Sequence, residues 1–407
     1  MKLPAYVKNC IDALTGAGFS AYAVGGAVRD SLLGVSPSDW DVTTSALPEQ
    51  TLTVFADRRT IPTGIKHGTI TVLFKENGNF LPIEVTTFRI DGEYLDSRHP
   101  ESVLFSRDVR DDLSRRDFTV NAMAYNEVDG LIDAFGGMDD LERKIIRTVG
   151  VPEARFTEDA LRIMRAFRFS AQLGFEIDEN TLSGAQKCAH LLKNIARERV
   201  GVEFKKLLVS KKPSYSLLSM VHLGVWDSIF NGIDAPSEKI ISKIDHLPES
   251  FEARLACLTC ELDTNSLASL LDSLRLSNDE KRLSLRLREV KNFDFDGNAE
   301  VCARRFLHLY NNILDLVLPV LGFFACGEKF ESFKSAVISE RQKSNPLSIS
   351  DLKIRGGDIL PLCENDYSLV GKALSHLLAL VVDNPALNER EQLINEAKNF
   401  IKMNIFA

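Results

Sequence analysis

Long apolar runs are missing from this 407-residue chain. The longest candidate, Ile313 to Cys326, is interrupted by Asp315 and Pro319, and it falls short of the roughly 18–20 apolar residues that cross a bilayer. The opening residues, MKLPAYVKNC, lack the charged start and apolar core of a secretion signal, so a cytoplasmic location with no membrane association is expected. Paired cysteines are lacking too. There are seven, scattered from Cys10 to Cys363, which suits reduced thiols in a reducing compartment. Cys257 and Cys260 make a lone CxxC in an apolar, helix-like stretch. The absence of a second pair or a nearby histidine argues against a metal or redox role. The second half holds no histidine–aspartate cluster of the kind that would add a phosphohydrolase. No internal repeat and no low-complexity tract is present.

An overall excess of positive charge is also absent. The net charge of −8 speaks weakly against a nucleic-acid partner, but a total hides its distribution. Between Ile146 and Tyr215 there are 13 Lys and Arg against 8 Asp and Glu, a net of +5, which leaves −13 for the rest. A basic middle between acidic ends can hold a phosphate backbone; an ordinary solvated helical surface fits the same numbers.

What is present is an ordinary globular composition, 44% apolar and 26% charged, over a length sufficient for two to four packed units. The first 145 residues mix strand and helix patterns. Residues 70–74 and 83–88 are β-branched, apolar runs separated by a turn at Glu76–Asn79, which predicts a hairpin. From Thr157 onward, apolar positions recur at helical spacing almost to the end. The expectation is an α/β head at 1–145, then an all-helical remainder: a neck at 146–215, a body at 216–345 and a tail at 346–407. That architecture alone fixes no function.

Two local patterns carry chemistry. Gly25-Gly26-Ala27-Val28-Arg29-Asp30 follows a strand-like stretch and opens a helix-like one. Paired glycines there let backbone N–H groups approach a phosphate, and Arg29 can add a charge-assisted bond. A plain strand-to-helix turn also uses such glycines. In Asp39-Trp40-Asp41, alternation along a strand sends both carboxylates to one face, where a cation relieves their repulsion. Hard oxygen ligands of this type suit Mg²⁺. Glu84, in a second strand among apolar neighbours, is either buried without a partner or delivered to the same place. The bland reading of the aspartates is a cap on a turn before Thr43.

Together these residues resemble the nucleotidyltransferases of DNA polymerase β type. More narrowly, they resemble the bacterial-type class of tRNA nucleotidyltransferases and poly(A) polymerases, and most of all its CCA-adding members. The resemblance continues in order through residues 63–72 (TGIKHGTITV), 83–89 (IEVTTFR), 91–105, 115–125 (RRDFTVNAMAY), 158–175 (EDALRIMRAFRFSAQLGF) and 195–208. It is strong over the first half and loose over the helical second half. It implies a polymerase-β-like sheet, with Asp39 and Asp41 as Mg²⁺ ligands and Glu84 as the third catalytic carboxylate. Gly26 and Arg29 would contact a triphosphate, Arg116 the bound nucleotide, and Asp117 and Asn121 would shape the ribose site. Arg115 and Arg116 can instead be a solvated pair facing Asp111 or Asp112.

The segment from Glu158 to Phe169 predicts a helix with Asp159 and Arg162 as neighbours, Arg165 and Arg168 further round, and Ile163, Met164 and Phe167 on the core side. Cytosine and adenine both present an amine donor beside a ring-nitrogen acceptor, whereas uracil and guanine present the reverse. A carboxylate only accepts and a guanidinium only donates, so an Asp–Arg pair bonds to C or A and leaves groups unpaired with U or G. Each unpaired buried group costs ~1–3 kcal/mol. The resemblance assigns this reading role to Asp159 and Arg162. Favourable charge at a helix N-terminus is the alternative use of Glu158 and Asp159.

The expected activity is template-independent addition of C, C and A to the 3′ end of the tRNA acceptor arm from CTP and ATP, with release of pyrophosphate. The alternatives are A addition alone, poly(A) synthesis, and a catalytically silent tRNA-binding protein. The stretch at 63–72 resembles the tRNA enzymes more than poly(A) polymerases. The polar segment from Asp91 to Phe105 resembles a flexible loop that CC-adding enzymes lack. No protein partner is evident in the sequence.

Overall fold

The computed structural model describes residues 1–76, 78–91, 103–363 and 366–405. In chain order, the first part runs α1 (Ala5–Gly16), β1 (Ala21–Val24), α2 (Gly26–Leu32), β2 (Asp41–Thr44), α3 (Pro48–Val54), β3 (Arg59–Gly64), β4 (Thr69–Glu76) and β5 (Asn79–Thr87). There follow β6 (Arg89–Asp91), β7 (Val103–Phe105), α4 (Val109–Ser114), β8 (Met123–Asn126), β9 (Gly130–Asp133), α5 (Gly137–Arg143) and β10 (Ile145–Ile146). The helical part then contains α6 (Pro152–Glu158), α7 (Leu161–Leu173), a short β11 (Glu176–Ile177), α8 (Glu179–Cys188), α9 (Arg197–Leu208), α10 (Ser214–His222) and α11 (Val225–Ile229). Two compact units result: Met1–Asp245 with Leu262–Leu276, and His246–Glu261 with Ser277–Ala407.

The first unit is built on a seven-stranded sheet in the order β3-β4-β5-β2-β1-β8-β9. Every neighbouring pair in it is antiparallel except β2 and β5, which run parallel with Asp41 opposite Glu84 and Thr44 opposite Thr87. The hairpin expected from the two apolar runs is β4–β5, with Ile70 opposite Val85; Asn77 of its turn lies outside the described residues. Pro82 is tolerated in β5 because only β4 flanks the strand there; β2 pairs from Glu84 onward. One face of the sheet is sealed by Tyr22, Val24, Phe88, Val109, Leu113, Ala122 and Ala124. Helix α1 packs its Val7, Cys10, Ile11 and Leu14 stripe, spaced three and four apart, into the core. Of the polar segment expected as a flexible loop, only the two ends are described: β6 and β7 pair antiparallel, Arg89 opposite Phe105. Residues 92–102 lie outside the described residues.

In the second unit, two long helices, Tyr367–Asp383 and Arg390–Ile405, enclose a cluster of Val370, Leu374, Leu377, Val381, Leu393 and Ala397. The stretch Ile313 to Cys326, read from the sequence as too short and too interrupted to span a bilayer, overlaps a longer run, Ala299–Phe324, that is long and apolar enough by length and composition alone to cross a membrane. It nevertheless carries a buried Arg304, whose Nη1 pairs with Glu340 at 3.3 Å and whose Nε donates to the Val382 carbonyl at 2.7 Å. A charge paired and hydrogen-bonded inside the packed unit ties this run to its neighbours there.

Candidate active site

Strand β1 ends at Val24, and the chain turns into α2 through Gly25, whose φ of 78° favours glycine. A Cβ on Gly25 would lie 2.9 Å from Arg116 Nη1, so this position also needs the missing side chain. Gly26 is different: a Cβ there meets nothing closer than Arg29 Nη2 at 3.6 Å, an ordinary contact. Of the two glycines read from the sequence as forming the turn, Gly25 is the one whose backbone requires glycine.

The carboxylates lie on the rim of the sheet. Asp39 and Asp41 are exposed and Trp40 between them is buried, the alternation expected of an extended segment, although β2 itself starts only at Asp41. Glu84 is exposed, and parallel pairing sets it directly opposite Asp41. Of the two options for Glu84, delivery to the aspartates is the one the fold takes. Crowding by the surrounding protein pushes the Asp41 carboxyl up to about 6; Arg116 opposes this rise, while Glu84 and Asp39 add to it. Three hard-oxygen groups that repel one another fit a hard divalent cation. As their side chains stand, however, no group of three or more Asp, Glu, His or Cys among the described residues is placed to hold a metal ion.

Arg29 is buried and committed. Its Nε donates to Asp30 Oδ1 at 2.8 Å and its Nη1 to Asn121 Oδ1 at 2.6 Å. Asn121 Nδ2 donates in turn to Asp117 Oδ1 at 3.1 Å. The other oxygen of Asp117 takes two bonds from Arg165, from Nε at 2.8 Å and Nη2 at 2.6 Å. Burial alone would raise the Asp117 carboxyl, but the Arg165 charge and the bonds from Asn121 and Arg165 hold it well below the usual carboxylate range. Arg165 also approaches Glu203, which pairs with Arg168. A continuous polar chain thus runs from α2 through the 115–125 segment to α7 and α9. The Phe169 ring sits in its midst, with the guanidinium carbons of Arg168, Arg29 and Arg165 at 3.7, 5.0 and 5.3 Å from its centroid.

Arg115 and Arg116 both engage the buried Asp112. Arg115 Nη2 lies 2.6 Å from Oδ1 and Arg116 Nη2 3.3 Å from Oδ2, and Thr43 Oγ1 donates to Oδ2 at 3.1 Å. The pairing with Asp112 offered by the sequence is present, but it is not on a solvated surface, since Asp112 is fully buried. Arg116 Nε is buried with no hydrogen-bond partner among the described residues.

The 158–169 segment departs from the expected single helix. Helix α6 ends at Glu158, Asp159 is extended (φ −143°, ψ 102°), and α7 begins at Leu161. Asp159 Oδ1 accepts from the Leu161 N–H at 3.0 Å, an Asx-type cap, while Oδ2 accepts from Arg199 Nη2 at 2.8 Å. Arg162 Nη1 donates to Glu158 Oε2 at 2.7 Å and its Nη2 to the Arg115 carbonyl at 2.9 Å. Asp159 and Arg162 are therefore linked through the backbone, the Arg162 N–H donating to the Asp159 carbonyl at 3.0 Å, but their side chains go to different partners. Ile163, Met164 and Phe167 are buried, as the periodicity predicts. Arg168 is turned inward rather than lying on an open donor row, because Glu203 pairs with it and Gln172 Oε1 accepts from its Nη1 at 2.9 Å.

A cleft of about 490 Å³ opens between these elements, lined on one wall by Gly26, Arg29, Asp39 and Asp41 and on the other by Arg168, Phe169, Gln172 and Lys206. Sequence reasoning did not single out Arg199, Glu203 or Lys206. Their only signal is the charged helical stretch at 195–208, whose tertiary partners lie about 40 residues away.

Comparison with known proteins places this geometry. Residues 21–147 match the model of the Poly A polymerase head domain, and residues 174–235 match the probable RNA and SrmB-binding site of polymerase A. The CCA-adding enzyme of Streptococcus suis is 38% identical over 403 residues, covering 96% of each chain. That of Limosilactobacillus fermentum is 34% identical over 95% of this chain and 94% of its own. The crystal structure of the Bacillus stearothermophilus CCA-adding enzyme in complex with CTP superposes with a TM-score of 0.81 at 31% identity, covering both chains fully. Thermotoga maritima CCA-adding enzyme complexed with tRNA shares the fold, with a TM-score of 0.72 at 23% identity over 97% of this chain and 94% of its own. With likeness at this level from end to end, the chain belongs to the CCA-adding enzymes.

Proposed function

We infer that this chain adds C, C and A to the 3′ end of tRNA, using CTP and ATP and releasing pyrophosphate. The observation that carries the mechanism is the register of the parallel pair, which seats Glu84 beside Asp41 on the rim that also bears Asp39. In this reading Asp39 and Asp41 hold Mg²⁺ and Glu84 completes the catalytic carboxylates. Bound there, the cation supplies charge neutralisation at the α-phosphate and lowers the pKa of the attacking hydroxyl. The raised Asp41 carboxyl, driven first by burial and only partly offset by Arg116, is consistent with a place that takes a cation.

The protein's remaining work is positioning. Gly26 and Arg29 face the triphosphate from the cleft wall, and Arg116, beside Asp41, faces the nucleotide. Asp117 and Asn121 border the ribose while tying Arg29 to Arg165. Asp159 and Arg162 read the base edge, and Arg165 and Arg168 frame that helix. Arg199 holds the Asp159 carboxylate as an acceptor, and Glu158 holds Arg162 as a donor, so the pair is poised for C or A and mismatched to U or G. The basic middle at 146–215 overlaps the segment matching the RNA-binding model at 174–235, which supports a neck at 146–215 between a catalytic head at 1–145 and a body and tail that hold the acceptor arm by its phosphates and shape. The enzyme is proposed to act in the cytoplasm.

The test is incubation with Mg²⁺ and a tRNA transcript lacking CCA, supplied with CTP, ATP, both, or UTP and GTP. Three added nucleotides with CTP plus ATP, and none with UTP or GTP, is the expected result. Extension only of tRNA already ending in CC would replace the reading with A addition, and long adenosine tails would replace it with poly(A) synthesis. No incorporation would leave a silent tRNA binder.

A further inference from the structure

The cations lining the cleft are unequally committed. Arg29 is taken by Asp30 and Asn121, and Arg168 by Glu203 and Gln172. Lys206 lines the same cleft, is exposed, and has no ion pair or side-chain hydrogen bond among the described residues. Gln172 stands with it on that wall. Its amide oxygen is occupied by Arg168 Nη1, which leaves its two N–H donors uncommitted among the described residues. The neck wall therefore offers an ammonium with three donors and an amide with two, opposite a head wall of carboxylates.

Charge decides what fits between the walls. The lining residues Arg29, Arg168 and Lys206 balance Asp30, Asp39 and Asp41, so the bare cleft does not attract a polyanion. A divalent cation on the aspartates tips the lining to net positive, and the uncommitted part of that charge sits on Lys206. The anions obliged to share the cleft with an α-phosphate at Asp39 and Asp41 are the β- and γ-phosphates bonded to it. We propose that Lys206, seconded by Gln172, grips the terminal phosphates of the incoming nucleotide from the neck side. It is a positioning group for the tail that departs as pyrophosphate, and it is indifferent to the base. The proposal rests on the CCA-adding reading. The same phosphate chemistry could also come from the RNA backbone, and the experiment separates the two sources.

The experiment compares wild type, Lys206→Ala, Lys206→Arg and Gln172→Leu by calorimetry with CTP, ATP, CMP and pyrophosphate in Mg²⁺ without tRNA, and by tRNA binding without nucleotide. Loss of one charge-assisted contact is expected to weaken CTP, ATP and pyrophosphate about tenfold alike in Lys206→Ala, with CMP and tRNA unchanged. Lys206→Arg should recover most of this, and Gln172→Leu should show a smaller loss of the same pattern. Weaker tRNA binding with unaltered nucleotide affinity would overturn the proposal in favour of an RNA-backbone contact. Unaltered binding of every ligand would overturn it outright, as would a loss that includes CMP. Binding requires no turnover, so failure of the CCA-adding reading would appear separately, as wild type that binds nucleotide but extends no tRNA.

Discussion

Asp159 and Arg199 are joined by a 2.8 Å bond from the guanidinium to the carboxylate, across 40 residues of sequence, and that bond, together with the Leu161 N–H on the other oxygen, orients the Asp159 side chain. An acceptor without a fixed direction cannot discriminate between a base that donates and one that accepts. Arg199→Ala is therefore expected to relax nucleotide choice. UTP incorporation should become measurable in single-nucleotide extension assays, and kcat/KM for CTP and ATP should fall about tenfold, the effect of one charge-assisted hydrogen bond. Unchanged discrimination in a folded variant would show that the bond is structural only.

Asp41→Asn removes a charge from the rim without changing its shape. Nucleotide addition should drop by at least about 10³-fold, the scale of losing electrostatic stabilisation at a reacting phosphate, while CTP binding without metal should be no weaker, because a repelling carboxylate has gone. Single-turnover extension and calorimetry in EDTA read the two quantities.

Gly25→Ala should damage activity and stability together. The new methyl group meets Arg116 Nη1 at 2.9 Å, and alanine resists the positive φ. A backbone cost of about 1–3 kcal/mol is expected in urea melts, with a large rise in KM for both nucleotides as Arg116 is displaced. Gly26→Ala is the control: with 3.6 Å to its nearest neighbour, it should cost no more than a few tenths of a kcal/mol in stability.

Acid should undo the ties between the sheet and α7. Both Asp112 and Asp117 are buried, and burial works against their charged forms. Arg115 and Arg116 around the first, and Arg165 with Asn121 around the second, win and hold both carboxyls below the usual carboxylate range. Because the folded pKa values lie below the unfolded ones, the stabilisation is whole above the unfolded value of about 4 and is lost as pH falls below it. Thermal melting of wild type should thus decline steeply below about pH 4. Asp117→Ala should be about 3–5 kcal/mol less stable at neutral pH and correspondingly less sensitive to acid.

The strand pair and the rim carboxylates were legible because they depend on local rules. Alternation exposes Asp39 and Asp41 around a buried Trp40, and β-branched runs mark β4 and β5. The break at Asp159 was not, because apolar spacing continues straight through it. The clue was the aspartate itself, a residue that caps the N–H two places on and so starts a helix as readily as it sits in one. Arg168 misled for another reason: periodicity shows where a side chain leaves the helix, but the Glu203 that captures it comes from α9. Arg199 and Lys206 carry no local signature, since each matters only through elements that folding brings beside it.

The one parallel pairing in the sheet has a consequence for biogenesis. Asp41 and Glu84 sit 43 positions apart along the chain, with α3, β3 and β4 intervening in sequence, yet β2 and β5 are neighbours in the sheet. Contacts closed over such a span are among the slower ones to form. A head in which β5 has not yet joined β2 therefore lacks the juxtaposition of Asp41 and Glu84 that the finished sheet provides.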